Sequence, residues 1–188
     1  MIFPTKYKAL SQENFQHGEF QIVPIRYKDR LDIMKWRNEQ MYHLRQSKVL
    51  TEENQEDYYK NTISKLFTKK KPNQLLFSFL KNNQCIGYGG LVHINWIDKN
   101  AEISFIMDTQ LEEKEFDKHW EKYLKLIEKV AFENLNLHKI YVYAFDLRPN
   151  LYTILQNNNF NKEATLKEQC FFDGKFIDVV IHEKRNKK

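Results

Sequence analysis

Cysteine, proline and glycine are all scarce in this 188-residue chain: two, four and five residues respectively. Cys85 and Cys170 are too few for a disulfide framework. Each lies in a strand-like apolar run, so both are expected as reduced, buried thiols of a cytoplasmic protein. The six histidines are dispersed and neither CxxC nor HExxH occurs, so no metal site is expected. No apolar run approaches the roughly 18 residues of a membrane span, and no signal-peptide pattern opens the chain. The G-x-x-x-x-G-K-[ST] loop, the G-x-G-x-x-G turn and the G-x-S-x-G elbow are also missing, which removes support for nucleotide-phosphate folds and serine hydrolases.

Charge is present but localised. The net charge is +5, yet Lys69, Lys70 and Lys71 form one cluster and Lys184, Arg185, Lys187 and Lys188 another. Without those seven, 23 basic side chains face 25 acidic ones. The body is near neutral and no basic stripe tracks a phosphate backbone, so no nucleic-acid partner is expected, and no membrane partner either. Length fits one domain with a substantial core. Residues 1–18 are polar and irregular and read as a flexible N-terminal arm, 19–184 as the domain, and 185–188 as a basic tail.

Periodicity gives the order of elements. Phe20–Arg26 reads as a first strand, with Pro24 at an edge or bulge. Residues 30–38 form a short helix with Leu31, Met34 and Ile33 inward. Thr51 caps a second helix that buries Tyr59, Ile63, Leu66 and Phe67. Leu75–Leu80, Cys85–Ile94 and Asn100–Met107 form an antiparallel meander through Lys81–Gln84 and Trp96–Lys99. A long amphipathic helix carries Phe116, Trp120, Tyr123, Leu124, Ile127, Val130 and Ala131 on one stripe. His138–Phe145 is a covered strand and Pro149 opens a short helix. Asp173-Gly174 turns the final hairpin, Glu163–Phe172 to Lys175–Glu183.

Two stretches of the meander concentrate chemistry. Gly87-Tyr88-Gly89-Gly90 holds three of the five glycines, the mark of a bend, a bulge or a close backbone approach. In Ala101–Asp108, strand alternation puts Glu102 and Ser104 on the face opposite Phe105. Glu102 reads either as a structural ion-pair partner or as a general base in a cleft. His93, Asn95 and Trp96 end the preceding strand near the same edge. Trp36-Arg37-Asn38, followed by Tyr42, His43 and Arg45, gathers aromatic and hydrogen-bonding groups after a helix.

In this order, Ile33-Met34-Lys35-Trp36-Arg37-Asn38, Ile86–Leu91, Ala101–Ile106 and Ala131–Ile140 make the chain resemble the GNAT superfamily of acyl-CoA-dependent N-acyltransferases. The likeness covers residues 20–183 and is closest to the branch of ribosomal-protein (RimJ/RimL-like) and nucleotide-amino-sugar N-acetyltransferases. It implies an α+β, three-layer fold: a mixed, mostly antiparallel sheet of six to seven strands flanked by four helices. It implies acetyl-CoA as co-substrate, a small primary amine such as a nucleotide-linked amino sugar as acceptor, and a monomer or homodimer. A protein N-terminus as acceptor, or a degenerate fold serving as a binding module, are the alternatives.

The resemblance assigns roles residue by residue. Glu102 deprotonates the amine. The main chain of Phe105, Ile106 and Met107 holds the pantetheine arm. Lys114, Phe116 and Arg148 are the remaining cofactor contacts, and Trp36, Arg37, Asn38, His93, Asn95 and Trp96 meet the acceptor. The usual glycine-rich pyrophosphate loop corresponds to Thr109–Phe116, which has no glycine and several Glu. The usual acid tyrosine corresponds to Leu155, so Tyr152 or Tyr143 is expected to replace it, or the thiolate leaves unaided.

Overall fold

The computed structural model describes residues 2–44 and 46–187. Met1, Arg45 and Lys188 lie outside the described residues, Arg45 among the groups singled out above. Eight strands form one sheet in the order β1-β2-β3-β4-β5-β6-β8-β7. They are β1 (Phe15–His17), β2 (Phe20–Pro24), β3 (Leu75–Lys81), β4 (Gln84–Asn95), β5 (Asn100–Met107), β6 (Lys139–Phe145), β7 (Asn161–Phe172) and β8 (Lys175–Arg185). Only β5 and β6 pair in parallel; the other neighbours are antiparallel.

Four helical segments flank the sheet: α1 (Arg30–Glu39); α2 (Glu52–Tyr58), running on through a π-turn at Tyr59–Ile63 to Ser64–Leu66; α3 (Thr109–Glu128), ending in a π-turn at Lys129–Asn134; and α4 (Pro149–Asn157). The Thr51 side chain accepts from the Asn54 N–H while Asn54 answers it, a full capping box that fixes the start of α2. Tyr88, Val92 and Ser104 face α1 and α2, whereas Phe79 and Phe105 face α3, where Phe105 stacks on Tyr123 at 3.9 Å. The three-layer arrangement follows directly from this alternation.

Two expectations are corrected here. The strand count is eight rather than six to seven, because β1 lies in the segment read as a flexible arm. That segment is packed: Tyr7 is fully buried, stacks on Phe67 at 3.9 Å and donates its hydroxyl to Leu76 O. Its aromatic residues, Tyr7 and Phe15, bind it to the sheet despite its polar composition. In α1, Ile33 and Trp36 are buried while Leu31 is 37% exposed, so the inward stripe sits differently from the expected one.

The glycine cluster serves close backbone approach. A Cβ on Gly89 would stand 2.1 Å from Ser104 O and 2.5 Å from the Tyr123 hydroxyl; on Gly90 it would stand 1.9 Å from Leu75 O. β4 is thus pressed between β3 and β5, with Tyr88 projecting between glycines toward the α1–α2 side.

Candidate active site

β5 and β6 pair at only three positions, the last being Glu102↔Tyr141. Beyond it β5 runs on to Met107 beside β4 while β6 runs on to Phe145 beside β8. The strands part, and a cavity of about 260 Å³ opens between them. Its wall includes Glu102, Ser104, Phe105, Tyr143, Arg37 and Arg148. The Asp108 N–H donates to Ile86 O at 2.9 Å, which sets the even-numbered residues of β5 to pair with β4. Phe105 and Met107 therefore present their main chain to the cleft and Ile106 does not, a correction to the expected trio. The Met107 carbonyl already accepts from the buried Gln40 side chain at 2.7 Å.

Glu102 lies at the mouth of the cleft with its side chain 20% exposed, and Nδ1 of His93 is 3.0 Å away. The β4–β5 register slips between Val92 and Asn95, and His93 sits in that bulge at φ 51°. This left-handed backbone turns the imidazole back toward β5.

The expected acceptor contacts divide sharply. Arg37 lines the cleft. It also lines a second cavity of about 410 Å³ on the α1–α2 side, and Ser104 is shared in the same way. The others have structural partners and line neither cavity. Trp36 Nε1 donates to Asp108 at 3.1 Å, and Asn38 binds both N–H and C=O of Leu50. The Asn95 side chain accepts from the N–H groups of Ile97 and Asp98, and Trp96 Nε1 donates to Pro72 O.

Tyr152 also stands outside the cleft. Its hydroxyl donates to Asp146 at 2.8 Å and its ring stacks on His182. Burial, then Asp146, pushes that phenol well above its ordinary value. Tyr143 is the tyrosine on the cleft wall. The sequence leaves Tyr143 as an alternative to Tyr152, on a strand that reads as apolar on both faces.

Lys114, Phe116 and Arg148 gather at a third cavity of about 910 Å³ beyond the cleft. α3 breaks at Glu115 (φ −133°, ψ 29°), so its main length restarts at Phe116. Carboxylates crowd this region: Glu39, Glu112, Glu113, Glu115 and Asp117 line it against Lys114, Lys118 and Arg148. Arg148 is bound by Glu112 at 2.9 Å, with His43 3.7 Å from the same oxygen. Burial opposes the Glu112 charge, but His43 and Arg148 outweigh it and hold the carboxyl below its ordinary value. Burial lowers His43 below its ordinary value, against the pull of Glu112. Sequence reasoning missed Glu112 because its partners are 36 and 69 residues away.

The Cys85 thiol is not poised for nucleophilic attack: burial and then Asp29 push it up to about 12. Cys170 is 3.7 Å from the Tyr143 hydroxyl. Among the described residues no group of three or more His, Cys, Asp or Glu is placed to hold a metal ion, and no helix is long and apolar enough to cross a membrane.

A mixed sheet splayed at one parallel pair, with a carboxylate at the fork, defines an acyl-CoA-type N-acetyltransferase. The chain belongs to the GNAT acetyltransferase family: residues 22–181 match the model described as an acetyltransferase (GNAT) domain. It is similar to spermidine N(1)-acetyltransferase of Vibrio cholerae, at 31% identity over 97 residues. That match spans about half of each chain. The crystal structure of the V. cholerae spermidine N-acetyltransferase in complex with CoA and spermine shares the fold, with a TM-score of 0.79 at 21% identity over 92% of this chain and 98% of that one. A dodecameric form of the same enzyme gives a TM-score of 0.73 at 21% identity, over 90% and 95%.

Proposed function

We propose that this chain transfers the acetyl group of acetyl-CoA to the neutral amine of a small molecule, with Glu102 as base. The observation that carries this reading is the parting of β5 from β6 immediately beyond Glu102. The main chain of Phe105 beyond the last strand pair offers an extended arm a place to add like a strand. Lys114, Lys118 and Arg148 supply the positive groups for phosphates. The residues fit the donor's arm well, and its phosphates in the face of opposing carboxylates.

The amine nitrogen attacks the thioester carbonyl carbon. An N–C bond forms, the C–S bond breaks, and the electron pair leaves with sulfur as thiolate. Glu102 accepts the proton shed by the amine, and His93 holds that carboxylate in place. The thiolate leaves unaided and takes its proton from water, since the Tyr152 hydroxyl is donated to Asp146 and the Tyr143 hydroxyl lies beside Cys170 on β7. A positioned base contributes about 10²- to 10⁴-fold.

The nucleotide-linked amino sugar expected as acceptor keeps Arg37 as a cavity contact and loses Trp36, Asn38, Asn95 and Trp96 to structural duties. A polyamine, the substrate named for the V. cholerae relative, finds no carboxylate among the described residues on the wall of the α1–α2 cavity. Titration calorimetry with acetyl-CoA, followed by thiol release in the presence of candidate amines, tests the reading. Absence of acetyl-CoA binding overturns it. Light scattering distinguishes the expected monomer or homodimer from a larger assembly.

A further inference from the structure

We propose that the acceptor is an amine with a carboxylate beside its nitrogen and an apolar body, that is, an apolar α-amino acid or a close analogue, and that Arg37 selects it. This rests on the acyltransfer reading above. Among the described residues, Arg37 is the only charged one on the wall of the α1–α2 cavity, about 410 Å³. The half-buried guanidinium donates to the Tyr88 hydroxyl at 2.6 Å and to Gln46 at 3.0 Å. Among the described residues it has no carboxylate within ion-pair distance, unlike Arg26, Arg30 and Arg148, which each have one. Keeping a cation partly desolvated without a counter-ion is unfavourable, and a bound anion offsets that loss. Guanidinium geometry suits the two oxygens of a carboxylate.

Position then narrows the ligand. Arg37 and Ser104 both line the cleft as well as this cavity, so an anion on Arg37 lies where the two spaces meet. The attacking nitrogen must lie there too. Anion and amine are therefore close neighbours in one molecule, as they are in an α-amino acid and are not in a nucleotide-linked sugar. Most of the remaining wall is apolar or aromatic, with Ile25, Ile33, Leu50 and Ile63 beside Tyr58 and Tyr59. The uncharged Asn54, Gln55 and Gln74 add polar side chains to it. Tyr59 is 1% exposed and its buried hydroxyl has no partner, an independent sign that a ligand with a polar tip completes this space. A polycation gains nothing here and is repelled by Arg37. In the reaction the amino acid's nitrogen forms the N–C bond, its proton passes to Glu102, and the carboxylate is unchanged.

The test compares L-phenylalanine, L-tyrosine and L-leucine with their uncharged amides and with spermidine, following thiol release from acetyl-CoA and the mass of the N-acetyl product. The acids are expected to exceed their amides by about 10- to 100-fold in kcat/KM, the worth of a charge-assisted hydrogen-bonded pair. Arg37→Gln should bring acid and amide to parity, and Arg37→Lys should keep part of the preference. Thermal melting without acetyl-CoA reads binding separately, with L-phenylalanine raising Tm and its amide not doing so. Equal use of acid and amide, preference for spermidine, or an unchanged preference in folded Arg37→Gln would overturn the proposal. Loss of acetyl-CoA binding would overturn the acyltransfer reading instead, while the melting comparison still decides the carboxylate preference.

Discussion

Glu102 and His93 are joined at 3.0 Å across a bulge that places the histidine at φ 51°. The exposed ring is tied to a partly covered carboxylate at the point where the sheet divides. Glu102→Gln is expected to lower kcat by about 10²- to 10⁴-fold with the fold retained. His93→Ala should cost less, because it removes the partner and leaves the base. Steady-state kcat distinguishes the two variants.

Neither tyrosine offers its hydroxyl to the cleft. Tyr152→Phe removes a hydroxyl already donated to Asp146, and Tyr143→Phe removes one that lies 3.7 Å from Cys170 Sγ on β7. In both variants kcat should stay near that of the parent, read from steady-state rates.

Glu112 neutralises Arg148 where the donor's phosphates would lie. Glu112→Gln removes one negative charge there and should tighten acetyl-CoA binding about tenfold, the effect of a single charge a few ångströms away. Arg148→Ala should weaken it. Calorimetry on both variants checks the opposite signs.

Gly89→Ala would put a methyl group on top of Ser104 O and the Tyr123 hydroxyl. The first is backbone and cannot swing aside, so β4 must separate from β5. A loss of about 3 kcal/mol or more is expected, seen as a lower denaturation midpoint.

His43, His119 and His182 are buried, and burial lowers all three below the ordinary value of 6.5. They bind protons less readily in the folded chain than in the unfolded one. Stability is therefore full above about pH 6.5 and is lost as pH falls toward the folded values, by at most about 1.4 kcal/mol per group per pH unit. Neither ring nitrogen of His182 has a partner, and the ring stacks on Tyr152. His182→Phe should therefore flatten the fall of Tm between pH 7 and 5.

Most of the architecture was legible from local chemistry. Asp173-Gly174 turns the last hairpin with both residues at positive φ, and Asn82-Asn83 turn the β3–β4 hairpin in the same way. Alternation placed Glu102 and Ser104 together. What stayed hidden depended on distant partners. Trp36 looked like a ligand contact because nothing nearby in sequence revealed Asp108, 72 residues on. Arg37, next to it, could be told apart only once the cavities were visible. The loop 109–116 lacks glycine, yet its backbone still breaks, at Glu115.

Tyr7 makes two hydrogen bonds with the main chain of Leu76 and stacks on Phe67, although the family match begins only at residue 22. The cooperative folding unit is therefore longer than the stretch that matches the family model. A protein trimmed to the matched boundaries would expose Phe77 and Phe67 to solvent. It would keep every proposed site residue and yet melt early, its loss of activity mimicking a defect in chemistry.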